Sequence, residues 1–231
     1  MTTVKDIMHF MENLAPQYMK LGNDRVGLNC GHVNAPVSKI LISLDASSAA
    51  CHEAKEVGAD LLLTHHALLY HPDFITDASE AGTNTLFLIE NHIAHFNAHT
   101  NLDCAPGGVN DCFAKTLGLK NIEVVSPDGT DSQGRPYGLL RCGYVQEQPL
   151  DAFLQHVKDV LGCQGLRFAD GGKPVFRHRK VCCRGGPLCG APPVCSGPRP
   201  SLPPHADESL LRQGGLRGKG YGHGGKNRHR S

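Results

Sequence analysis

Two adjacent histidines, His65 and His66, close a short apolar run, Ala59-Asp60-Leu61-Leu62-Leu63-Thr64. A second run of the same kind, Ile93-Ala94-His95-Phe96-Asn97-Ala98, leads into His99-Thr100-Asn101-Leu102-Asp103. Neutral imidazole together with carboxylate suits Zn, Mn, Fe or Ni, and suits Mg less. Two strands that each stop at such groups suggest one shared metal site at their ends. An isolated His-His pair is also common as a packed or surface feature. His71, His92 and His95 show that histidine is frequent here, and they receive no role.

Side chains alternate along a strand, so His65 and His66 cannot face the same way inside one. Where the chain turns at the strand end, the two can diverge and each serve one ion of a pair. An Asp from a neighbouring strand end can bridge such a pair, about 3.5–4 Å apart, lowering the pKa of a bound water and holding an oxyanion. Asp45 could support the site from outside the ligand set, or simply cap a helix. Asp24 and Gly27 could shape a loop over the site, or form an ordinary turn.

The elements that must position these groups are legible as alternating patterns. Val4, Ile7, Met8, Met11 and Leu14 recur at helical spacing behind Thr2 or Thr3 as N-cap, and Pro16 ends that helix. Residues 22–28 read as a loop. Ser38 to Asp45 reads as a strand apolar on both faces, and Ser47 caps a helix that Gly58 stops. With the Leu61 strand this makes a βαβ unit, hence parallel strands and a right-handed crossover. A helix over 83–91 precedes the Ile93 strand, and a helix over 109–117 precedes a short strand at 122–125. The class is α/β, a mainly parallel sheet with flanking helices. Residues 1–125 form its first part. Residues 126–174 form a small inserted α+β lobe, with a strand at 137–145, a helix at 150–161 and a short strand at 166–168. Residues 175–181 read as a strand returning to the first sheet.

From Cys182 onward the organisation fails. Residues 182–231 are about one third Gly and Pro, a low-complexity composition expected to be irregular or disordered. The formal net charge of +1 over 231 residues conceals an acidic body and a basic tail, whose only acids are Asp207 and Glu208. A basic nucleic-acid arm is disfavoured because Tyr221 is the only aromatic in it. A zinc knuckle from Cys182, Cys183, Cys189 and Cys195 matches none of the usual spacings. The other cysteines of the ten are dispersed and read as reduced thiols buried like small hydrophobes. No N-terminal leader is evident, and no apolar run nears the roughly 20 residues of a membrane span, so the expected compartment is the cytoplasm.

One ordered set of motifs resembles a known family. It comprises Asp24-Arg25-Val26-Gly27-Leu28, Lys39 to Asp45, Gly58-Ala59-Asp60 with Thr64-His65-His66, and His99-Thr100-Asn101-Leu102-Asp103 with Gly107-Gly108-Val109-Asn110-Asp111. These are similar, over about residues 1–181, to the NGG-interacting-factor-three-like proteins, also called GTP cyclohydrolase 1 type 2 homologues. The resemblance implies a toroidal hexamer with a centre of two divalent metals, whose ligands correspond to His65, His66 and Asp103. The family's remaining His and Glu lie in a Gly-His-x-x-Thr-Glu element near the C-terminus. Here Gly222-His223 is followed by Gly224-Gly225-Lys226-Asn227, and no Glu follows Glu208. A shifted reading frame near Val181 would account for this. Arg25 stands where the family usually has Asn, and Ala67 where it often has Pro.

Two functions follow as expectations. One is a two-metal hydrolase of a nucleotide or other phosphorylated substrate, with an incomplete site in this chain and no general acid named by the sequence. The other is a non-catalytic metal-binding scaffold or regulatory protein.

Overall fold

Thr3 sets the start of α1 (Val4–Leu14) by a reciprocal cap. Its hydroxyl accepts from the backbone N–H of Asp6, and the Asp6 carboxylate accepts from the backbone N–H of Thr3 at 2.8 Å. The apolar stripe of α1 then packs on a four-stranded sheet. Val4 and Met11 meet Leu61, Ala94 and Phe96, with Ile7 and Met8 at the margin. The structure, a computed structural model, describes residues 1–70, 74–168 and 177–185.

The four strands are β1 (Gly27–Cys30), β2 (Ile40–Ser43), β3 (Leu61–Thr64) and β4 (Ala94–Asn97), in spatial order β1-β4-β3-β2. β2, β3 and β4 are parallel, and β1 runs antiparallel to β4. α2 (Ser48–Glu56), capped by the Ser47 hydroxyl, connects β2 to β3, and α3 (Glu80–Glu90) connects β3 to β4. Cys51, Ala54, Leu62, Leu88 and Ile93 form the core on that side. Thr64 pairs with Asn97, so β3 and β4 end level with each other. The residues that follow both strands therefore emerge at one place.

Two differences from the sequence expectation have simple causes. Gly27–Cys30 is a strand, so the loop expected over 22–28 ends two residues earlier. Its four residues are too few to show a pattern, and only the open edge of β4 makes them a strand. β2 is not buried on both faces. It is an edge strand, where Leu41 packs inward while Ile42 is 73% exposed, as is Leu44 just beyond it at 61%. α1 covers the strands on the other side of the sheet and does not reach β2.

The second half is built on a three-stranded antiparallel sheet. β5 (Lys120–Val125) and β9 (Arg177–Cys183) flank the ten-residue strand β8 (Leu140–Pro149). A two-residue ladder, β6 (Gly129–Thr130) with β7 (Pro136–Tyr137), closes the intervening turn. α4 (Thr100–Cys104) and α5 (Val109–Thr116) lead into this sheet, and α6 (Leu150–Leu161) packs on it through Phe153 and Val157. Ala114, Leu117, Leu119, Val181 and Cys183 complete that cluster.

Here too the expected partners change. The strand expected at 122–125 as part of the first sheet, and the one expected at 175–181 to return to it, both pair with β8 instead. A strand as long as β8 offers two open edges close at hand. The short strand expected at 166–168 does not form. β9 runs through Cys183, two residues beyond the expected boundary.

The cysteines are not all reduced thiols. Cys142 and Cys182 are in register across β8 and β9, with Cα atoms 4.0 Å apart, and are joined as a disulfide. Cys182 is thereby not free to ligate zinc, and Cys189 and Cys195 of the zinc-knuckle alternative lie outside the described residues. Cys51 and Cys104 do behave as small hydrophobes, and burial pushes their thiols up to about 11 and about 12. No helix among the described residues is long and apolar enough to cross a membrane. His71 and the tail from residue 186 onward, including its expected disorder, lie outside the described residues.

Candidate metal centre

The level ends of β3 and β4 deliver three imidazoles to one point. Each of His65, His66 and His99 offers a nitrogen, and these atoms all lie within 4.8 Å of one another. The ring centroids are 5.0 to 5.5 Å apart.

Every one of the three rings is oriented by a bond at Nδ1. His65 Nδ1 lies 3.0 Å from the carbonyl of Ala98. His66 Nδ1 lies 2.5 Å from Oδ1 of Asp45, and His99 Nδ1 lies 2.8 Å from Oδ2 of Asp24. A carbonyl or carboxylate oxygen can only accept, so Nδ1 donates in each case. Nε2 then keeps its lone pair, the arrangement a metal-binding histidine requires. The donor set therefore fits a divalent ion of the Zn, Mn, Fe or Ni class.

Residues 99–103 each have a visible task. His99 supplies its ring. The hydroxyl and backbone N–H of Thr100 both donate to Asp24. Asn101 is buried, and its Oδ1 accepts from the N–H of His99 at 2.9 Å while its Nδ2 donates to the carbonyl of Ala15 at 2.7 Å. Leu102 packs against the α1 core. Asp103 Oδ1 lies 3.7 Å from His65 Nε2. Behind it, Asn110 Nδ2 donates to the Asp103 carbonyl at 3.0 Å. The chain returns so closely at Gly108 that a Cβ there would sit 1.9 Å from the carbonyl oxygen of Leu102.

The electrostatics follow from depth. Burial lowers the pKa of His65, against the opposing pull of Asp103. Burial raises that of Asp103, with His65 acting the other way. Burial would also raise Asp24, but hydrogen bonds from Thr100 and His99 outweigh it and hold the carboxyl below its usual range.

The structure thus places His65 and His66 together, with Asp103 beside His65. It adds His99 as a third imidazole, which the ligand set drawn from the resemblance omits. Asp45 serves His66 and is not a helix cap; Ser47 has that task. Asp24 serves His99. His92 follows α3, and His95 is buried within β4, so neither joins the cluster. Sequence reasoning missed Tyr70, whose ring meets His99 edge-on at 6.1 Å. No motif marks it, because it lies in an irregular segment.

The profile of the family DUF34/NIF3 (NGG1p interacting factor 3) matches residues 2–187. The chain belongs to the DUF34/NIF3 family. It is 36% identical over 176 residues to a Clostridium perfringens protein named GTP cyclohydrolase 1 type 2 homolog, covering 75% of this chain and 66% of that one. A Lactococcus lactis protein of the same name is 31% identical, covering 71% of this chain and 61% of the relative. The chain thus spans less than two thirds of the length of these NIF3 relatives. Among solved structures, a hypothetical protein of Staphylococcus aureus superposes with a TM-score of 0.74 at 24% identity, covering 81% of this chain and 73% of that one. A Bacillus cereus protein related to NIF3 gives 0.73 at 24% identity, covering 80% and 77%. At that identity the likeness speaks for the NIF3 fold alone.

Proposed function

We propose that this chain holds divalent metal on His65, His66 and His99, with Asp103 beside them, and acts as a metal-dependent hydrolase of a nucleotide or other phosphorylated substrate. The observation that carries the reading is the shared orientation of the three rings, each with Nδ1 engaged and Nε2 left to bind. The relatives' name, GTP cyclohydrolase 1 type 2 homolog, agrees with a nucleotide substrate. A metal so held supplies Lewis-acid chemistry and activates water for hydrolysis. Asp24 and Asp45 hold the rings of His99 and His66 in place, with Nε2 left to bind. Asp103, whose Oδ1 lies 3.7 Å from His65 Nε2, would add a carboxylate to the ligands of such a metal. By family resemblance the working form is a cytoplasmic homohexamer.

Metal analysis of the purified chain, combined with turnover of GTP and of phosphomonoesters, tests this. Bound metal, with turnover that His65→Ala and His99→Ala both abolish, supports it. Turnover unchanged by either substitution removes the cluster from the chemistry. If His99→Ala binds metal as tightly as the wild type while Asp103→Ala does not, the ligand set is His65, His66 and Asp103. Light scattering checks the hexamer.

A non-catalytic scaffold is the second reading, and one observation favours it. Asp24 and Asp45 are both committed to histidines, so among the described residues Asp103 is the only carboxylate at the cluster without such a ring bond. Stoichiometric metal without turnover of any substrate in the panel would decide for the scaffold.

A further inference from the structure

We propose that the cleft beside the metal centre seats a phosphoryl group, held by Arg25 with Lys20. This inference deepens the hydrolase reading and rests on it. The cleft encloses about 440 Å³ and is lined by Lys20, Asp24, Arg25, Asn29 and Leu69, among others.

Its position ties it to the histidines. Asp24 is common to both, since the carboxylate that lines the cleft also orients His99. The carbonyl of Arg25 accepts from Asn97 Nδ2 at 2.9 Å, and Asn97 is the last residue of β4, two before His99. Asn29, also in the lining, accepts at Oδ1 from the N–H groups of Leu68 and Leu69, which follow the His65-His66 pair. The cleft is thus fixed to the ends of the two strands that carry the centre.

Its charge selects the ligand. The Arg25 guanidinium is exposed and has no hydrogen bond or ion pair among the described residues. Lys20 Nζ donates once, to the carbonyl of Asp24 at 2.8 Å, which leaves two of its three protons. The one carboxylate in the lining is Asp24, and it is already occupied by His99 Nδ1, Thr100 and the backbone N–H of Arg25. Two cations against one satisfied carboxylate leave an excess positive charge. A guanidinium fork and an ammonium match the several oxygens of a phosphate dianion better than a single carboxylate.

Isothermal titration of the full chain with inorganic phosphate at low ionic strength tests the proposal. The protein is first treated with chelator, so that no metal contributes to binding. The expected result is saturable binding that Arg25→Gln weakens at least ~10-fold and Lys20→Met weakens less, with melting temperature unchanged. Metal content after reloading should be unaffected by Arg25→Gln. In contrast, His65→Ala should lose metal and still bind phosphate, so the cleft and the metal centre fail separately. Absence of phosphate binding overturns the proposal. So does equal affinity in the wild type and Arg25→Gln, and so does acetate binding as tightly as phosphate.

Discussion

The carboxylate of Asp24 accepts the Nδ1 hydrogen of His99 at 2.8 Å, across a sequence separation of 75. The same carboxylate receives the hydroxyl and N–H of Thr100, so it fixes both the ring and the start of α4. Asp24→Ala frees the ring and removes the acceptor that holds its Nδ1 hydrogen. The expected outcome is a metal affinity ~10–100-fold weaker, read by competition with a chelating dye. Unchanged affinity would show that His99 does not bind the ion.

His95 predicts a pH effect on stability. It is fully buried in β4, its Nε2 sits 2.9 Å from Thr64 Oγ1, and burial pulls its pKa down to about 4. An unfolded His titrates near ~6.5. Between these values the unfolded chain binds more protons than the folded one, so stability is full above about 6.5 and falls as pH drops toward about 4. The loss is on the order of 3 kcal/mol. Urea titrations across that range should show it, and His95→Gln should flatten the profile. A profile equally steep in the variant would place the acid sensitivity elsewhere.

Arg141 joins the two halves of the chain. It is fully buried on β8, ion-paired with Asp111, and bonded to the carbonyls of Gly138 at 2.5 Å, Cys104 at 3.2 Å and Ala105 at 3.3 Å. Those last two carbonyls end α4, the helix of Asp103. Arg141→Leu takes the cation from Asp111, which keeps only the backbone N–H of Gly107, and removes one donor from each of three carbonyls, at a cost of about 3–5 kcal/mol. Pairing it with Asp111→Leu should recover part of the loss in the same denaturation assay.

Ile42 lies on the edge strand β2 with most of its surface in water. An apolar edge of this kind invites pairing with other chains. Ile42→Lys should change unfolding free energy by no more than about 0.5 kcal/mol and reduce aggregation on concentration. A large loss of stability would mean that Ile42 is covered in the folded protein.

Much of this was legible from the residues alone. The run Leu61–Thr64 followed by His65-His66, and the run ending before His99, marked two parallel strands and the chemistry at their ends. The capping boundaries at Thr3 and Ser47 were readable too, because caps and apolar spacing are local signals. The order of the strands was not. Whether β2 lies inside the sheet or at its edge depends on partners that its own four residues do not name. The same holds for β5 and β9, which look like strands of the first sheet and pair with β8.

The candidate site divides in the same way. Residue types and their position after apolar runs determined that His65, His66, His99 and Asp103 would gather at the strand ends, since parallel strands share one carboxyl end. Only the tertiary structure decided that Asp24 and Asp45 each hold a histidine, and that Arg25 opens onto a cleft beside them. Those contacts span 21 and 75 residues of sequence. They exist because the register of β3 against β2 and β4, and of β1 against β4, brings distant loops to one end of the sheet.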